Sequence, residues 1–181
     1  MLQRKYLFPH VIELNYQAGR RLGVNVYLID GGSEFLLIDI GYLDTVPEIV
    51  DLIRQMDYNL STCKMLIATH ADADHIQGIA RAKELLKAKV AAHPLSVEPL
   101  ESGDKIMTYA SIKAQGIDIP MPPCKVDLLL KEGDTIPVGS HSARDTITAI
   151  ANLGIDTEAM TTRKPTLDDV YLQLTGSRLA A

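Results

Sequence analysis

Apolar and polar positions change period several times along the chain, and each change marks a predicted element. Residues 24–30, VNVYLID, alternate in part and are rich in β-branched and aromatic side chains. A second apolar run, EFLLIDI, covers residues 34–40, and Gly31, Gly32 and Ser33 lie between the two. Two such runs around a Gly-rich turn predict a β-hairpin, with Gly41 ending the second strand. Val46, Ile49, Val50, Ile53 and Met56 then fall at helical spacing. Pro47 sits in the first turn of that helix, where its missing N–H costs nothing. The short apolar run KMLIAT, residues 64–69, predicts a buried strand. Ile76 to Ala88 predicts a helix, with a stripe of Ile76, Ile79, Ala80, Ala82, Leu85 and Leu86. Lys89 to His93 reads as another strand, ended by Pro94. Strand, loop, helix and strand in this order make a βαβ unit, normally a right-handed crossover.

The pattern weakens further on. Gly103, Gly116, Pro120, Pro122 and Pro123 make residues 101–125 an excursion, with a short helix expected over 105–114. Val126 to Leu130 predicts a strand, residues 132–134 a turn, and Thr135 to Val138 a short edge strand, where Pro137 is tolerated. The character of the chain changes near residue 142. Ala143 to Leu153 is helical in pattern and Gly154 suits its cap. Ile155 to Thr162 reads as a strand. Pro165 to Asp169 opens a last helix, in which Thr166 and Asp169 have capping-box spacing.

Composition narrows the function classes. With 181 residues, 46% hydrophobic and 23% charged, the chain has the size and balance of one soluble domain. A net charge of −5 with interspersed signs, and no tryptophan, argue against a nucleic-acid surface. Cys63 and Cys124 have no CxxC spacing and read as two reduced thiols. The N-terminal MLQRKYLFPHVIEL holds no apolar run long enough for a signal peptide. No stretch approaches the roughly 20 apolar residues of a membrane span, so the expected compartment is the cytoplasm.

The strongest chemical signal is THADADHIQG, residues 69–78. His70, Asp72, Asp74 and His75 place four metal-ligand types directly after a predicted buried strand. Such a loop can converge imidazoles and carboxylates at the strand's C-terminal end. Neutral imidazole with carboxylate suits zinc, and a carboxylate-rich set shifts preference toward iron or manganese. The same letters also fit an ordinary helix start, with Asp72 and Asp74 favoured by the macrodipole and the histidines as polar loop residues.

On these residues the chain resembles the metallo-β-lactamase-fold hydrolases, whose signature loop is HxHxDH after a strand. Here Asp72 takes the place of the second histidine. LLIDIG supplies the Asp that the family carries on an earlier strand, Asp39. The YLIDGGSEFLLIDIG hairpin, the AAHP after the next strand and EGDTIPVGSHS also have counterparts. The resemblance covers about residues 5–142. It implies an α+β fold: one half of an αββα sandwich, with a mixed sheet and flanking helices, to which the elements read after residue 142 add a short αβα tail. It implies His70 and Asp72 at one metal site, Asp74 and His75 at the other, and Asp39 orienting the loop. Asp74 is the expected catalytic residue, binding and orienting a metal-activated water. The cofactor implied is zinc, or iron or manganese; because the family's later ligands are missing, one ion is expected in place of the family's two. The family's further HTPGH-type histidine does not follow EGDTIPVGSHS; His10, His93 and His141 match no ligand position.

Residues 144–176 resemble a different ending. RKPTLDDVYLQLTG, residues 163–176, is similar to the C-terminus of drug-exporting ABC-transporter ATPase subunits, centred on Pro165, Thr166, Leu167, Asp168 and Asp169. No GxxxxGK[ST] occurs, so this stretch implies no ATP hydrolysis. The expected organisation is a truncated metallo-β-lactamase-like domain, residues 1–142, joined to a transporter-like tail, residues 143–181. Half a sandwich would leave one sheet face uncovered, which predicts oligomerisation, aggregation or partner binding. The function expected is hydrolysis of an ester, thioester, lactone, amide or phosphoester. The alternatives are a non-catalytic metal-binding or interaction module whose open face binds a partner, and a transporter-associated fragment; a homodimer through the open face is a further expectation.

Overall fold

In a computed structural model of the chain, residues 3–8, 10–15 and 24–139 are described. They form a mixed α+β fold built on one seven-stranded sheet with helices packed against it. The strands are β1 (Gln3–Phe8), β2 (Val11–Asn15), β3 (Val26–Asp30), β4 (Phe35–Ile38), β5 (Cys63–Ala68), β6 (Lys89–Ala92) and, later in the chain, Leu128–Leu129. β1 to β4 pair antiparallel in sequence order. β4, β5, β6 and Leu128–Leu129 then run parallel.

The predicted hairpin is β3–β4, with Leu28 opposite Leu37. The predicted first helix is α1 (Val46–Gln55), which buries Val46, Ile49, Val50, Leu52 and Ile53. Strand alternation sorts the sheet's side chains between two faces. Leu37, Leu66, Ala68, Val90 and Ala92 join a large core under the helices with Ile49, Ile53 and Ile79. Leu36, Ile38, Met65, Ile67 and Ala91 point the other way and form a second cluster.

Several expectations change. The helix expected over 76–88 starts earlier and breaks: α2 (Ala73–Ile76) and α3 (Ile79–Leu86) are separate. The break falls at Gly78, whose N–H is given to the carbonyl of Gly41 at 2.8 Å. The helix expected over 105–114 is absent, and α4 (Val97–Ser102) precedes it, capped by Gly103 at φ +63°. The Asp104 carboxylate takes the N–H groups of Ile106 and Met107, and Tyr109 is left-handed at φ +55°. Both features oppose helix continuation. Two-residue strands β7 (Ser111–Ile112) and β8 (Ile117–Asp118) form a small second sheet, and β9 is Leu128–Leu129 only.

Thr135 to Val138 forms no strand. It crosses the second face as a strap, with Ile136 and Val138 packed on Leu36, Ile38, Met65 and Ile67. The face expected to be open is therefore closed within the chain: those four side chains and Ala91 are 0–5% exposed. The strap is fastened at the β3–β4 turn. Lys64 Nζ donates to Glu34 Oε1 at 2.7 Å and to the Pro137 carbonyl at 2.6 Å, and Gly139 N–H donates to Glu34 Oε1 at 2.9 Å. Gly31 is required there, since a Cβ would lie 2.6 Å from the Val138 backbone. β1, β2 and α4 were not predicted. The transporter-like tail and His141 lie outside the described residues.

Candidate metal centre

Parallel pairing of β4 with β5 brings their C-terminal ends side by side, with Ile38 opposite Ile67. Asp39 follows β4 directly, and the HADADH loop follows β5. Asp39 is 5% exposed and left-handed at φ +57°, a conformation that Asp tolerates better than most residues. Its N–H donates to the Ile67 carbonyl at 2.8 Å. Its carboxylate accepts three bonds: Thr69 N–H on Oδ1 at 2.9 Å, and Thr69 Oγ1 and His75 Nδ1 on Oδ2, both at 2.8 Å. The main chain adds more, as Ile40 and Gly41 donate to the His75 carbonyl at 3.1 and 2.9 Å.

These bonds determine the ring tautomers. A carboxylate only accepts, so His75 Nδ1 carries a proton. Thr69 spends its one hydroxyl proton on Asp39 and therefore accepts from His70 Nδ1, at 2.9 Å. In its neutral form each imidazole then presents a lone pair at Nε2. Those atoms face carboxylates: His70 Nε2 lies 3.5 Å from Asp72 Oδ2, and His75 Nε2 lies 3.7 Å from Asp74 Oδ2. The ring centroids are 4.0 Å apart. A lone pair turned toward a carboxylate calls for a cation, a proton or a metal, between them. Burial of the His75 ring works against protonation. The Asp39 hydrogen bond and the charges of Asp39, Asp74 and Asp72 outweigh it and raise the pKa above its ordinary 6.5.

Asp72 stands at the N-cap of α2, yet its side chain makes no capping bond. Its carboxylate instead faces His70. The donor set fits a divalent cation as two His–Asp pairs. Among the described residues no group of three or more such side chains converges, so the fit is to an incomplete centre.

Three further residues support the loop without having been picked out as functional: Thr69 and Gln77 inside THADADHIQG, and Thr108 outside it. Thr69 fixes His70, and its signal was only a polar residue at the end of a buried strand. Gln77, buried, accepts from Leu43 N–H at 3.0 Å and donates to the Pro120 carbonyl at 2.6 Å. Thr108, fully buried, receives the Ala73 N–H on its carbonyl at 2.7 Å. Of the other histidines, His93 is exposed and its Nδ1 accepts from Leu95 N–H, while His10 lies at the β1–β2 turn. Cys63 and Cys124 are buried free thiols, and burial pushes Cys63 up to about 12.

A family model described as Metallo-beta-lactamase superfamily matches residues 19–149. The chain belongs to the metallo-β-lactamase superfamily. The match runs past Ser142. Among solved structures, a metallo-β-lactamase with a HARLDQ motif from Cronobacter sakazakii is 26% identical, with a TM-score of 0.61 over 76% of this chain and 49% of that one. BJP-1, a subclass B3 metallo-β-lactamase of Bradyrhizobium japonicum, is 24% identical (TM-score 0.59; 75% and 48% covered). FEZ-1 from Legionella gormanii is 23% identical (TM-score 0.63; 75% and 49% covered). These last two show the shared fold. The chain spans about half the length of these structures. No curated protein matches it. The superfamily implies metal-dependent hydrolysis at family level. No helix among the described residues is long and apolar enough to cross a membrane.

Proposed function

We propose that the chain carries the metal-binding half of a hydrolase centre, with His70, Asp72, Asp74 and His75 holding a divalent cation. The observation that carries this is the shared orientation of the two imidazoles: Nδ1 engaged within the protein, Nε2 toward a carboxylate. Ligating histidines commonly donate their other ring N–H to a carboxylate or a similar acceptor, which sets the ring and raises its basicity. Zinc, iron or manganese suits the donors. When bound, such an ion lowers the pKa of a coordinated water toward about 7 and so supplies a nucleophile at neutral pH.

The chain's own groups divide the remaining work. Asp39 holds His75 from within the core. Thr69 keeps the His70 lone pair on Nε2. Asp74, with a side chain 41% exposed, presents a carboxylate that orients the attacking oxygen and accepts its proton. The substrate is an ester, thioester, lactone, amide or phosphoester. Asp72 in place of histidine is compatible with this reading. The Cronobacter sakazakii protein is named for HARLDQ, which, letter for letter beside HADADH, also lacks histidine at the third position.

A second reading, a non-catalytic metal-binding module, is favoured by the absence of a converging group of three donors among the described residues. Metal content by mass spectrometry separates these from no site at all. Near-stoichiometric metal, lost in Asp74→Ala, is expected; equal trace metal in both chains would refute the centre. Turnover of generic ester and phosphoester substrates, abolished by chelation and by His75→Ala, then selects the enzyme over the module. The division at residue 142 and a cytoplasmic location remain proposals. So does pairing of two copies, for which Leu128 and Leu129 on β9 are the exposed apolar edge. The comparisons do not support the transporter-like tail, which rests on the resemblance of residues 144–176 alone.

A further inference from the structure

We propose that Ile106, Met107 and Tyr109 form an apolar platform beside the metal centre, which holds an uncharged aliphatic or aromatic group of the substrate. This role rests on the metal-centre reading. One hydrogen bond fixes the place: the Thr108 carbonyl accepts Ala73 N–H at 2.7 Å, and Ala73 lies between Asp72 and Asp74. The backbone of this segment therefore touches the HADADH loop. Met107 and Tyr109 are the residues on either side of that contact.

The segment is held stiff from within. The Asp104 carboxylate accepts Ile106 and Met107 N–H at 2.7 and 2.9 Å, and the Asp104 carbonyl accepts Thr108 N–H and Oγ1 at 3.1 and 2.7 Å. Thr108 is fully buried, whereas Ile106, Met107 and Tyr109 are 68%, 45% and 61% exposed. Large apolar side chains gathered on a surface mark a place where a ligand is covered. Tyr109 is also left-handed at φ +55°. A bulky residue persists in that conformation only where its surroundings enforce it, as at ligand clamps.

Charge selects the occupant. The Asp104 carboxylate is spent on backbone N–H groups, and Lys105 Nζ donates to Asp118 Oδ1 at 2.7 Å. Both charges of the segment are thus paired within it, and Asp72 and Asp74 next door repel an anionic substituent. An apolar group bound here would hold the scissile bond over the ion, so that remote binding energy aids orientation. The substrate class narrows to an ester, thioester, lactone or amide bearing an apolar substituent, rather than a small phosphoester.

The test needs no turnover. The full chain is labelled with methyl-13C methionine, and the Met107 resonance is assigned from Met107→Leu. Mn2+ should broaden Met107, whereas Met65, toward the opposite end of β5, should stay sharp; Asp74→Ala should abolish the broadening. Acetate and hexanoate, which share a carboxylate, are then titrated into the zinc-loaded chain as stand-ins for reaction products. Hexanoate should bind about tenfold tighter or more, each methylene taken out of water being worth up to about fourfold. Met107→Ser combined with Tyr109→Asn should erase that preference and leave acetate and zinc affinity unchanged; Asn tolerates the left-handed backbone. Bound Mn2+ with Met107 left sharp, equal acetate and hexanoate affinity, or a preference that survives the double variant would each overturn the platform while the metal centre stands. No zinc or Mn2+ binding by the parent chain would overturn both.

Discussion

The two ends of β5 are held by opposite means. At the C-terminal end, a carboxylate 5% exposed gathers three hydrogen bonds and the backbone adds more. At the N-terminal end, Lys64 and Glu34 fasten the strap through an ion pair whose side chains are about a third exposed (32% and 30%). Buried, fully satisfied polar groups are expensive to disturb, whereas exposed ion pairs are worth little. The chain has thus placed its rigid fastening where geometry matters for chemistry, and a loose one where only a face must be covered.

The largest expected effect comes from Asp39. Asp39→Ala strands the Thr69 and His75 donors, and should cost about 2–4 kcal/mol by urea denaturation and about 10–100-fold in metal affinity. Lys64→Met should cost under about 1 kcal/mol. Equal losses in the two variants would erase the contrast. Next, Gly78→Ala and Gly31→Ala each force a Cβ into contact, 2.5 Å from Val46 Cγ2 and 2.6 Å from the Val138 backbone respectively. Overpacking of this kind costs about 1–3 kcal/mol. The first should weaken metal binding. The second should leave metal unchanged but speed amide exchange at Leu36, Ile38, Met65 and Ile67; metal loss in Gly31→Ala would show that the ends are coupled.

The smallest effect is on acid stability. The Lys64 hydrogen bond, helped by Gly139 N–H, holds Glu34 below its ordinary 4.5. Burial opposes ionisation of Asp127, but the bonds from Lys83 Nζ and Val90 N–H prevail and hold it below 3.8. A depressed carboxylate contributes stability that is full above its unfolded pKa and fades as pH falls through the folded one. Stability should therefore begin to drop below about pH 4.5, by under about 1 kcal/mol per pair, and Lys64→Met should flatten the Glu34 part. An unchanged pH profile in Lys64→Met would show that the clasp is not made.

What could be read from sequence follows the same division. β3, β4, α1, β5 and β6 show clear periodicity because one face or both are buried. HADADH was legible as chemistry because four donors fall within six positions. The pairing of each Nε2 with a carboxylate was not, since it depends on Thr69 and Asp39 meeting across two strands. The stretch after Gly103 misled because its backbone groups are satisfied by side chains such as Asp104, which leave no period. The N-terminal strands left too short a signal: in β2 only Ile12 and Leu14 mark the buried face, too few positions to establish a period. Covering the second face with the strap could not be seen either, because Pro137 lies there without a ladder partner.

Sequence separation has a kinetic consequence. Asp39 and His75 are 36 residues apart, while Lys64 reaches 73 residues to Pro137 and Gly139 reaches 105 residues back to Glu34. Closing a longer loop costs more chain entropy and slows formation. The end of the sheet that carries Asp39 and the HADADH loop should therefore assemble first, as the nascent chain emerges, with the strap the last described segment to dock. A folding intermediate able to bind metal before its second face is sealed is the species this order predicts.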